Sequence, residues 1–299
     1  MSNVVSGSSE YSPSLEPLFR LGRPGAFSEW IDYAASGVGP EHVPDLLRIV
    51  ADPKLLEGSS ESSAIWAPLH AWRALGQLRA ESAIGPLIGL LGRIDRDEDD
   101  WLAEDLPVVF GGIGVAAVSP LALYLGDTAN GLYSRTAAGK ALSMIGQEHP
   151  AARAACVAAL AGQLQKYGEN GPELNGFLIT SLSDLEAQET LPLVEKLFEV
   201  GAVDTMITGD WEESRRWFDP ATRPTPEELK AKGDGLLAAQ RMLKMDPDLE
   251  MESFYDEAGE DVDLLPEAKP VIDLRAINKA AKQARSKAKK AKKKKNQKR

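Results

Sequence analysis

A quartet of apolar residues recurs along this chain and constrains its fold more than any other feature. In each copy the four residues occupy positions i, i+3, i+4 and i+7, so they share one stripe of an α-helix. The copies are Val43, Leu46, Leu47, Val50; Ile84, Leu87, Ile88, Leu91; Val118, Leu121, Ala122, Leu125; Val157, Leu160, Ala161, Leu164; and Leu191, Val194, Glu195, Phe198. They start 41, 34, 39 and 34 residues apart.

A helix pair that cannot cover its own apolar stripe must stack on a neighbouring pair, and a period of about 40 residues is typical of two-helix solenoid repeats. Pro86, Pro120 and Pro192 fall near the starts of the second helices, where the first turn has spare N–H groups and tolerates proline. The sequence therefore predicts an all-α solenoid of about five helix pairs, with the quartets buried between its layers.

The domain organisation follows from where this pattern begins and ends. We expect a disordered N-terminal segment at 1–25 and a helical repeat domain at 26–218, whose first pair combines Ala26–Ala35 with Glu41–Ala51 and whose last helix, Trp211–Phe218, is a cap. Residues 219–245 are predicted to be a linker with an amphipathic helix. Ten acids and no base at Asp246–Glu267 predict an acidic disordered linker over 246–273, followed by a lysine-rich tail at 274–299.

Composition narrows the class of protein. The single cysteine, Cys156, excludes a disulfide within one chain and a cysteine-based zinc site, and it indicates a reducing compartment. The polar N-terminal segment lacks the apolar run of a secretion signal, so we expect a cytoplasmic location. The uncharged stretch Leu106–Gly126 is long enough to span a bilayer, but Pro107, Pro120 and the Gly111–Gly114 segment are expected to divide it into two short helices.

Charge is divided between two parts of the chain. Thirteen of the last 26 residues are Lys or Arg and none is acidic, whereas the preceding part has 21 basic and 45 acidic residues, a net charge of about −24. Any binding to nucleic acid is therefore expected from the tail, whose lysines would contact phosphates without reading sequence. The predicted contacts are Lys287, Lys289, Lys290, Lys292, Lys293, Lys294 and Lys295.

Enzymatic chemistry finds little support. His42, His70 and His149 are the three histidines, and none is followed by a glutamate, so the paired His/Glu di-iron site of HEAT-like hydroxylases cannot be assembled. No G-x-S-x-G element supports a nucleophilic triad. The glycines of Gly111–Gly114 lack the strand and the spacing of a phosphate loop and are interpreted as a helix break.

The sequence offers three candidate sites. Trp66, His70 and Arg73 share a helix face and are a candidate protein-binding surface, although the simpler expectation has Trp66 between repeats and the other two at the solvent edge. The second candidate is a docking surface on the cap, formed by Trp211, Arg215, Arg216 and Trp217. The third candidate, a cation site, would use the acids around Trp101, which are Asp99, Asp100, Glu104 and Asp105; a solvated acidic rim is the preferred interpretation.

Four segments carry a resemblance to a known family: AWRALGQLRAESAIGPLIGLL, WLAEDLP, YSRTAAGKAL and ETLPLVEKLFEVGAVDTMITGDWEE. On these, Glu41 to Phe218, roughly 60% of the chain, resembles a bacterial HEAT-like repeat family of uncharacterised function. The resemblance implies a HEAT-like fold and no catalytic residues. Family members often end in a cysteine-rich SEC-C zinc motif, also found at the end of the SecA translocase. This chain has no second cysteine, so we expect no metal and no cofactor.

Together these features predict a non-catalytic protein-binding scaffold or adaptor, which would bind its partner on the concave face formed by the stacked second helices. Two alternatives remain. One is a nucleic-acid- or ribosome-associated factor tethered by the lysine-rich tail. The other is an enzyme such as a HEAT-like lyase or a base-excision glycosylase, of which the acidic body disfavours the glycosylase.

Overall fold

The computed structural model describes residues 10–24, 30–56, 62–225 and 227–231, and within these ranges the chain contains helices and no β-strand. The all-α prediction is therefore confirmed. The α-helices are α1 (Val43–Ala51), α2 (Pro53–Leu56), α3 (Ala67–Gln77), α4 (Ile84–Arg96), α5 (Asp100–Ile113), α6 (Val118–Gly126), α7 (Leu132–Glu148), α8 (Arg153–Leu164), α9 (Tyr167–Asn170), α10 (Pro172–Asp184), α11 (Leu191–Glu199), α12 (Thr205–Thr208) and α13 (Trp211–Arg215).

The chain divides into two compact units, Met1–Ala221 and Thr222–Arg299. The first contains α1 to α13 and ends close to the predicted end of the repeat domain. In the second, residues 227–231 are helical and the backbone N–H of Leu229 donates to the Thr225 carbonyl. The predicted acidic linker and lysine-rich tail lie outside the described residues.

Two series of helices contact one another in chain order. In one, α3, α5, α7 and α10 make successive contacts; in the other, α4, α6 and α8 do so. Each second helix also contacts the first helix of the next pair, as α4 does with α5 and α6 with α7. The apolar core lies between the two series because each helix turns its apolar stripe toward the other.

Each second helix follows a short 3₁₀ turn. The turns are Pro40–His42, Glu81–Ala83, Val115–Ala117, Pro150–Ala152 and Gln188–Thr190. The helices after them start at residues 43, 84, 118, 153 and 191, which are 41, 34, 35 and 38 residues apart. The fourth start differs from the sequence register, which placed Val157 first. Helix α8 begins at the charged Arg153, so an apolar pattern cannot mark its first turn, and the sequence register begins one turn late.

The quartets are buried in every copy only at their second position. The second-position residues Leu46, Leu87, Leu121, Leu160 and Val194 are all 0% exposed. The third-position residues are half-buried, and Glu195 is exposed. The prediction of complete burial is therefore wrong for the third position, for the half-buried first-position residues Val43, Val118 and Leu191, and for the half-buried Phe198, because the covered stripe is narrower than the quartet.

Two N-terminal predictions are also wrong. Residues 26–29 of the predicted first helix lie outside the described residues, and 30–35 are not helical. Here the Tyr33 backbone N–H donates to Gln77 Oε1 at 3.0 Å, so the segment is held as a turn against α3. The N-terminal segment predicted to be disordered is packed from residue 10 to residue 24, with Leu15 and Phe19 fully buried. Four helix pairs therefore follow α1, instead of five complete pairs.

The glycines after Pro107 have two different roles. Helix α5 continues through Gly111 and Gly112 and ends at Gly114, whose φ of +94° favours glycine. A Cβ on Gly112 would lie 2.8 Å from the Gly76 carbonyl oxygen, and one on Gly111 would lie 3.1 Å from Met144 Cβ. Only Gly114 is the predicted helix break; the other two let α5 approach its neighbours.

The break at Gly114 produces the predicted pair of short helices, with Asp100–Ile113 and Val115–Gly126 bent by 119°. Within the described ranges no single helix is long and apolar enough to cross a membrane. The two helices of this bent pair have the required length and apolar composition only when they are taken together.

Candidate functional site

Three neighbouring stretches on α4, α6 and α8 carry no charge on their outer surface. Residues 84–92, 115–126 and 154–164 include no Asp, Glu, Lys or Arg. The exposed members are Gly85, Pro86, Gly89 and Gly92 on α4; Val115, Ala116, Ser119 and Leu123 on α6 and its preceding turn; and Ala154, Ala155 and Ala158 on α8. We call these residues the uncharged face. It is continuous because α6 contacts both α4 and α8.

Leu123 is the most prominent residue of the uncharged face, with 77% of its surface exposed; Val115 is 56% exposed. The helix determines this position: Leu121 and Leu125 point into the core, so Leu123, on the opposite side of α6, must point outward. Single exposed leucines are ordinary on protein surfaces, but one surrounded by uncharged residues on three adjacent helices forms an apolar patch.

Charged residues border the uncharged face at both ends of its helices. At the end of α4, Arg93 Nε lies 3.1 Å from Asp97 Oδ2. At the start of α8, Arg153 Nη1 lies 2.9 Å from Glu189 Oε1, and Lys166 is exposed just after α8. An apolar centre with a polar rim is the anatomy of a protein interface.

No internal contact requires the glycines of the uncharged face. A Cβ placed on Gly85 or Gly89 would have nothing within 4 Å, and one on Gly92 would meet only Tyr124 Oη at 3.9 Å. An exposed glycine inside a helix costs about 1 kcal/mol relative to alanine. The fold of the described chain therefore gives no reason for glycine at these positions.

Arg73 and Asp105, predicted in two separate candidate sites, form one buried ion pair. Arg73 Nε lies 2.7 Å from Asp105 Oδ2, and each side chain is 1% exposed. Arg73 Nη2 donates to Asp105 Oδ1 at 2.8 Å, and Trp72 Nε1 donates to Asp105 Oδ2 at 2.9 Å. The indole of Trp30 covers the guanidinium, with Arg73 Cζ 5.0 Å from the ring centroid. The expectation that Arg73 lies at the solvent edge is wrong: it joins α3 to α5.

His70 is also buried, contrary to its predicted solvent edge. Its Nε2 lies 3.0 Å from the Gly22 carbonyl oxygen and its Nδ1 lies 2.8 Å from Tyr33 Oη. A carbonyl can only accept, so Nε2 carries the proton and Nδ1 accepts from the tyrosine. Burial lowers the pKa of His70, and the nearby Arg73 lowers it further. The neutral imidazole therefore ties the N-terminal segments to α3 and offers no free nitrogen for a ligand.

Trp66, just before α3, packs against Trp101 of α5. Its ring centroid lies 5.4 Å from that of Trp101 in an edge-on arrangement. The guanidinium carbon of Arg23 lies 5.9 Å from the Trp66 ring and 5.8 Å from the Trp101 ring. Both indoles are half-buried. Trp66, His70 and Arg73 thus do not form a common exposed surface.

The cap ends in α13 and the 3₁₀ turn Arg216–Phe218. Trp211 packs on Phe198, with ring centroids 5.8 Å apart, and Phe218 is fully buried. The exposed Arg215 Nε donates to Glu212 Oε2 at 2.6 Å. Of the other predicted docking residues, Arg216 and Trp217 are half-buried. The cap residues therefore contribute to closing the core, and the arrangement does not single them out as a separate site.

Two of the four acids predicted around Trp101 have structural roles: Asp105 is buried against Arg73, so the expected solvated rim is wrong for it, and Asp99 caps a helix. Asp99 caps α5 by accepting from the Leu102 backbone N–H at 3.2 Å, and burial raises its pKa. Asp95, at the end of α4, caps α7 by accepting from the N–H groups of Tyr133 and Ser134, each at 2.9 Å. Within the described residues there is no group of three or more His, Cys, Asp or Glu side chains placed to hold a metal ion.

Nucleophilic and small-molecule sites are equally poorly supported. Burial raises the pKa of Cys156 to about 11, so its thiol is protonated at neutral pH. A groove of about 150 Å³ crosses α3, α5 and α7 between Trp30, Val108 and Met144. It is smaller than the roughly 300 to 1,000 Å³ of ordinary ligand pockets, and a second groove of about 300 Å³ beside Glu16 and Arg20 only reaches the lower end of that range.

Comparison with known proteins adds no assignment: no family model, no curated protein and no solved structure matches the chain.

The predicted lysine contacts of the tail lie outside the described residues. Sequence reasoning named the second helices as the binding surface but missed the residues of the uncharged face. A signal for them was present, because the three second helices at 84–92, 115–126 and 154–164 lack charge at outward as well as inward positions.

Proposed function

We propose that this protein is a non-catalytic protein-binding scaffold built on a HEAT-like solenoid, and that it binds its partner through the uncharged face. Support for the solenoid comes from the recurring second-helix starts, the chain-order contacts within each helix series, and the family resemblance of the repeat segments. The uncharged face lies on the second helices, which the sequence pattern also favours as the binding surface.

The single observation that carries the proposal is the absence of charge on exposed helix positions of a chain in which 26% of residues are charged. Surface helix positions that only face water are normally charged or polar. The core of a protein interface is depleted of charge and excludes water. Leu123, at the centre of the uncharged face, is then an anchor for a partner.

A non-catalytic role is supported by the structural use of the groups that catalysis would need. His42 Nε2 lies 2.6 Å from Ser14 Oγ, and His149 Nε2 donates to the Gly111 carbonyl oxygen at 3.0 Å. With His70 held by Tyr33 and Gly22, each histidine joins two separate segments of the chain. Cys156 is buried in α8.

The proposal is tested by affinity capture with the tagged full-length protein and two single variants. Leu123→Lys places a charge at the centre of the uncharged face. Met206→Lys is the matched control, because Met206 is 87% exposed and lies on α12, outside that face. We expect a reproducible set of captured proteins to be retained by Met206→Lys and lost with Leu123→Lys. Equal capture by all three proteins would contradict the proposal.

A second candidate function, binding of RNA or another polyanion, is favoured by the charge of the tail. The absence of any acid among its 26 residues makes it a basic segment that would release counterions on contact with phosphates. Affinity of the full-length protein for RNA should fall steeply as salt is raised and should vanish when residues after Asp273 are removed. Undiminished binding by the shortened chain would move the nucleic-acid site elsewhere.

A further inference from the structure

Resting on the proposed function, we propose that the occupant of the uncharged face is an uncharged apolar α-helix of another protein, lying across α4, α6 and α8. Three features of the face define this partner: it has no charge, it has small residues on its two outer helices, and its large exposed apolar side chains, Leu123 and Val115, lie on its middle helix and in the turn before it.

The absence of charge specifies the polarity of the partner. A lysine or glutamate brought onto the centre of the uncharged face would lose its water and meet no opposite charge, which is strongly unfavourable. The charged residues that border the uncharged face lie at its rim and form ion pairs there, as Arg93 does with Asp97 and Arg153 with Glu189. A partner segment that covers the centre must therefore be apolar there.

The spacing of the small residues specifies a helix. On α4, Gly85 and Gly89 are four residues apart, and on α8, Ala154 and Ala158 are four residues apart, so each pair lies on one outward line of its helix. Small residues at this spacing let a second backbone approach closely. A Cβ on Gly89 would fill only open space, so the space beside this glycine is available to large side chains of an approaching helix. Leu123 would in turn pack against small side chains of the partner helix.

The size of the uncharged face excludes a stable dimer of this chain as the main use. Neighbouring helix axes are about 8 to 10 Å apart, so three helices span about 25 Å. The uncharged parts are about 13 Å long at 1.5 Å per residue. The resulting area of roughly 300 Å² is well below the about 800 Å² per partner of a stable interface. A single helix of about 17 residues crosses the same distance.

The probes are two stapled helical peptides labelled with fluorescein. Each has 17 residues, which form about 25 Å of helix. The apolar peptide carries Leu, Ile and Ala on one face and Gln and Ser elsewhere; the charged peptide has Glu and Lys in that apolar face. Binding to the full-length protein is measured by fluorescence anisotropy. We expect the apolar peptide to bind about tenfold or more tightly than the charged one, and Leu123→Lys to weaken it by a similar factor.

Gly89→Ala distinguishes a partner site from mere surface. The added methyl has open space within the protein, so the folded chain tolerates it, but it occupies the room reserved for the partner. We expect apolar-peptide binding to weaken about three- to tenfold, as overpacking in a close contact does, with the thermal midpoint unchanged or raised. Gly168→Ala is the matched control, because Gly168 is also exposed, has nothing within 4 Å of its Cβ position and lies on α9, outside the uncharged face.

Several results would overturn the inference. These are equal binding of the two peptides, wild-type affinity in Gly89→Ala, a concentration-dependent dimer in sedimentation that Leu123→Lys abolishes, or Leu123-dependent binding to phosphatidylcholine vesicles. If neither peptide binds while Leu123→Lys still removes captured proteins, the helical partner is wrong and the proposed function stands. If capture also does not depend on Leu123, the proposed function fails as well.

Discussion

Two regions of the molecule reverse the usual distribution of charge, in which charged side chains are outside and apolar ones inside. One is the contact between α3 and α5, and the other is the uncharged face. Arg73 and Asp105 are ionisable side chains with 1% exposure each, whereas Leu123 is an apolar side chain with 77% exposure. The interior charges have partners in the same chain, and the exterior apolar groups have none among the described residues. The buried charges are therefore satisfied within the chain, whereas the exposed apolar groups belong to the surface that we propose for a partner.

The first and largest expected effect is on the interior. Asp105→Ala leaves the Arg73 guanidinium buried without its carboxylate, and removing one member of a buried pair costs roughly 3 to 5 kcal/mol. Urea denaturation of the full-length protein measures the loss. The double variant Arg73→Met with Asp105→Leu should recover much of it, because no buried charge remains. A loss below about 1 kcal/mol in the single variant, the range of exposed pairs, would show that the pair is hydrated.

Gly112→Ala should give the next largest effect, again on the interior. A Cβ at this position would lie 2.8 Å from the Gly76 carbonyl oxygen, so α3 and α5 must move apart to accommodate it. Overpacking of this kind costs about 1 to 3 kcal/mol. The same urea experiment measures it. Unchanged stability would mean that the two helices can separate freely, against the close approach described above.

Gly89→Ala should have the opposite sign. The substitution adds helix propensity at an exposed position with open space, so the free energy of unfolding should rise by up to about 1 kcal/mol. Measured beside Gly112→Ala, it separates glycines required by the fold from glycines that the fold does not need. A decrease in stability would reveal an internal contact at Gly89 and weaken the case for an external partner.

The sequence predicted the helical layers because their signals are local. The 3.6-residue period and the prolines near the starts of α4, α6 and α11 indicated where those helices begin, and the structure confirms these starts. In α8 the signal failed because the helix begins at Arg153, a charged residue that an apolar pattern does not include. Residues 30–35 have a helical pattern but form a turn, because Gln77 accepts from the Tyr33 backbone N–H and donates to the Ile31 carbonyl.

The sites were less predictable because their chemistry is non-local. Nothing within a few residues of Arg73 indicates that its partner is Asp105, 32 positions away, and each residue alone has the pattern of a solvated charge. The uncharged face could have been found, since runs without charge are visible in the sequence. What the sequence could not provide is that α6 lies between α4 and α8, which joins three separate runs into one surface.

The smallest expected effect is on the pH dependence of stability, through the buried His70. The pKa of His70 is lowered, chiefly by burial and also by Arg73, while the hydrogen bond to Gly22 and the charge of Asp105 oppose this. A group whose folded pKa lies below its unfolded value favours the unfolded state once it is protonated. The stability that neutral His70 contributes is therefore present above the unfolded pKa of about 6.5 and is lost as pH falls through the lower folded value.

Wild type and His70→Gln should consequently differ in pH dependence. Carboxylates that titrate in the same range contribute equally to both proteins, so the wild type should lose more unfolding free energy than the variant between neutral pH and about pH 5. Urea denaturation at the two pH values measures the difference. Tyr33 cannot offset the charge, because burial raises its pKa and keeps its phenol protonated. Identical losses in the two proteins would mean that imidazolium is accommodated between Tyr33 and the Gly22 carbonyl, and that the interior tolerates a second cation beside Arg73.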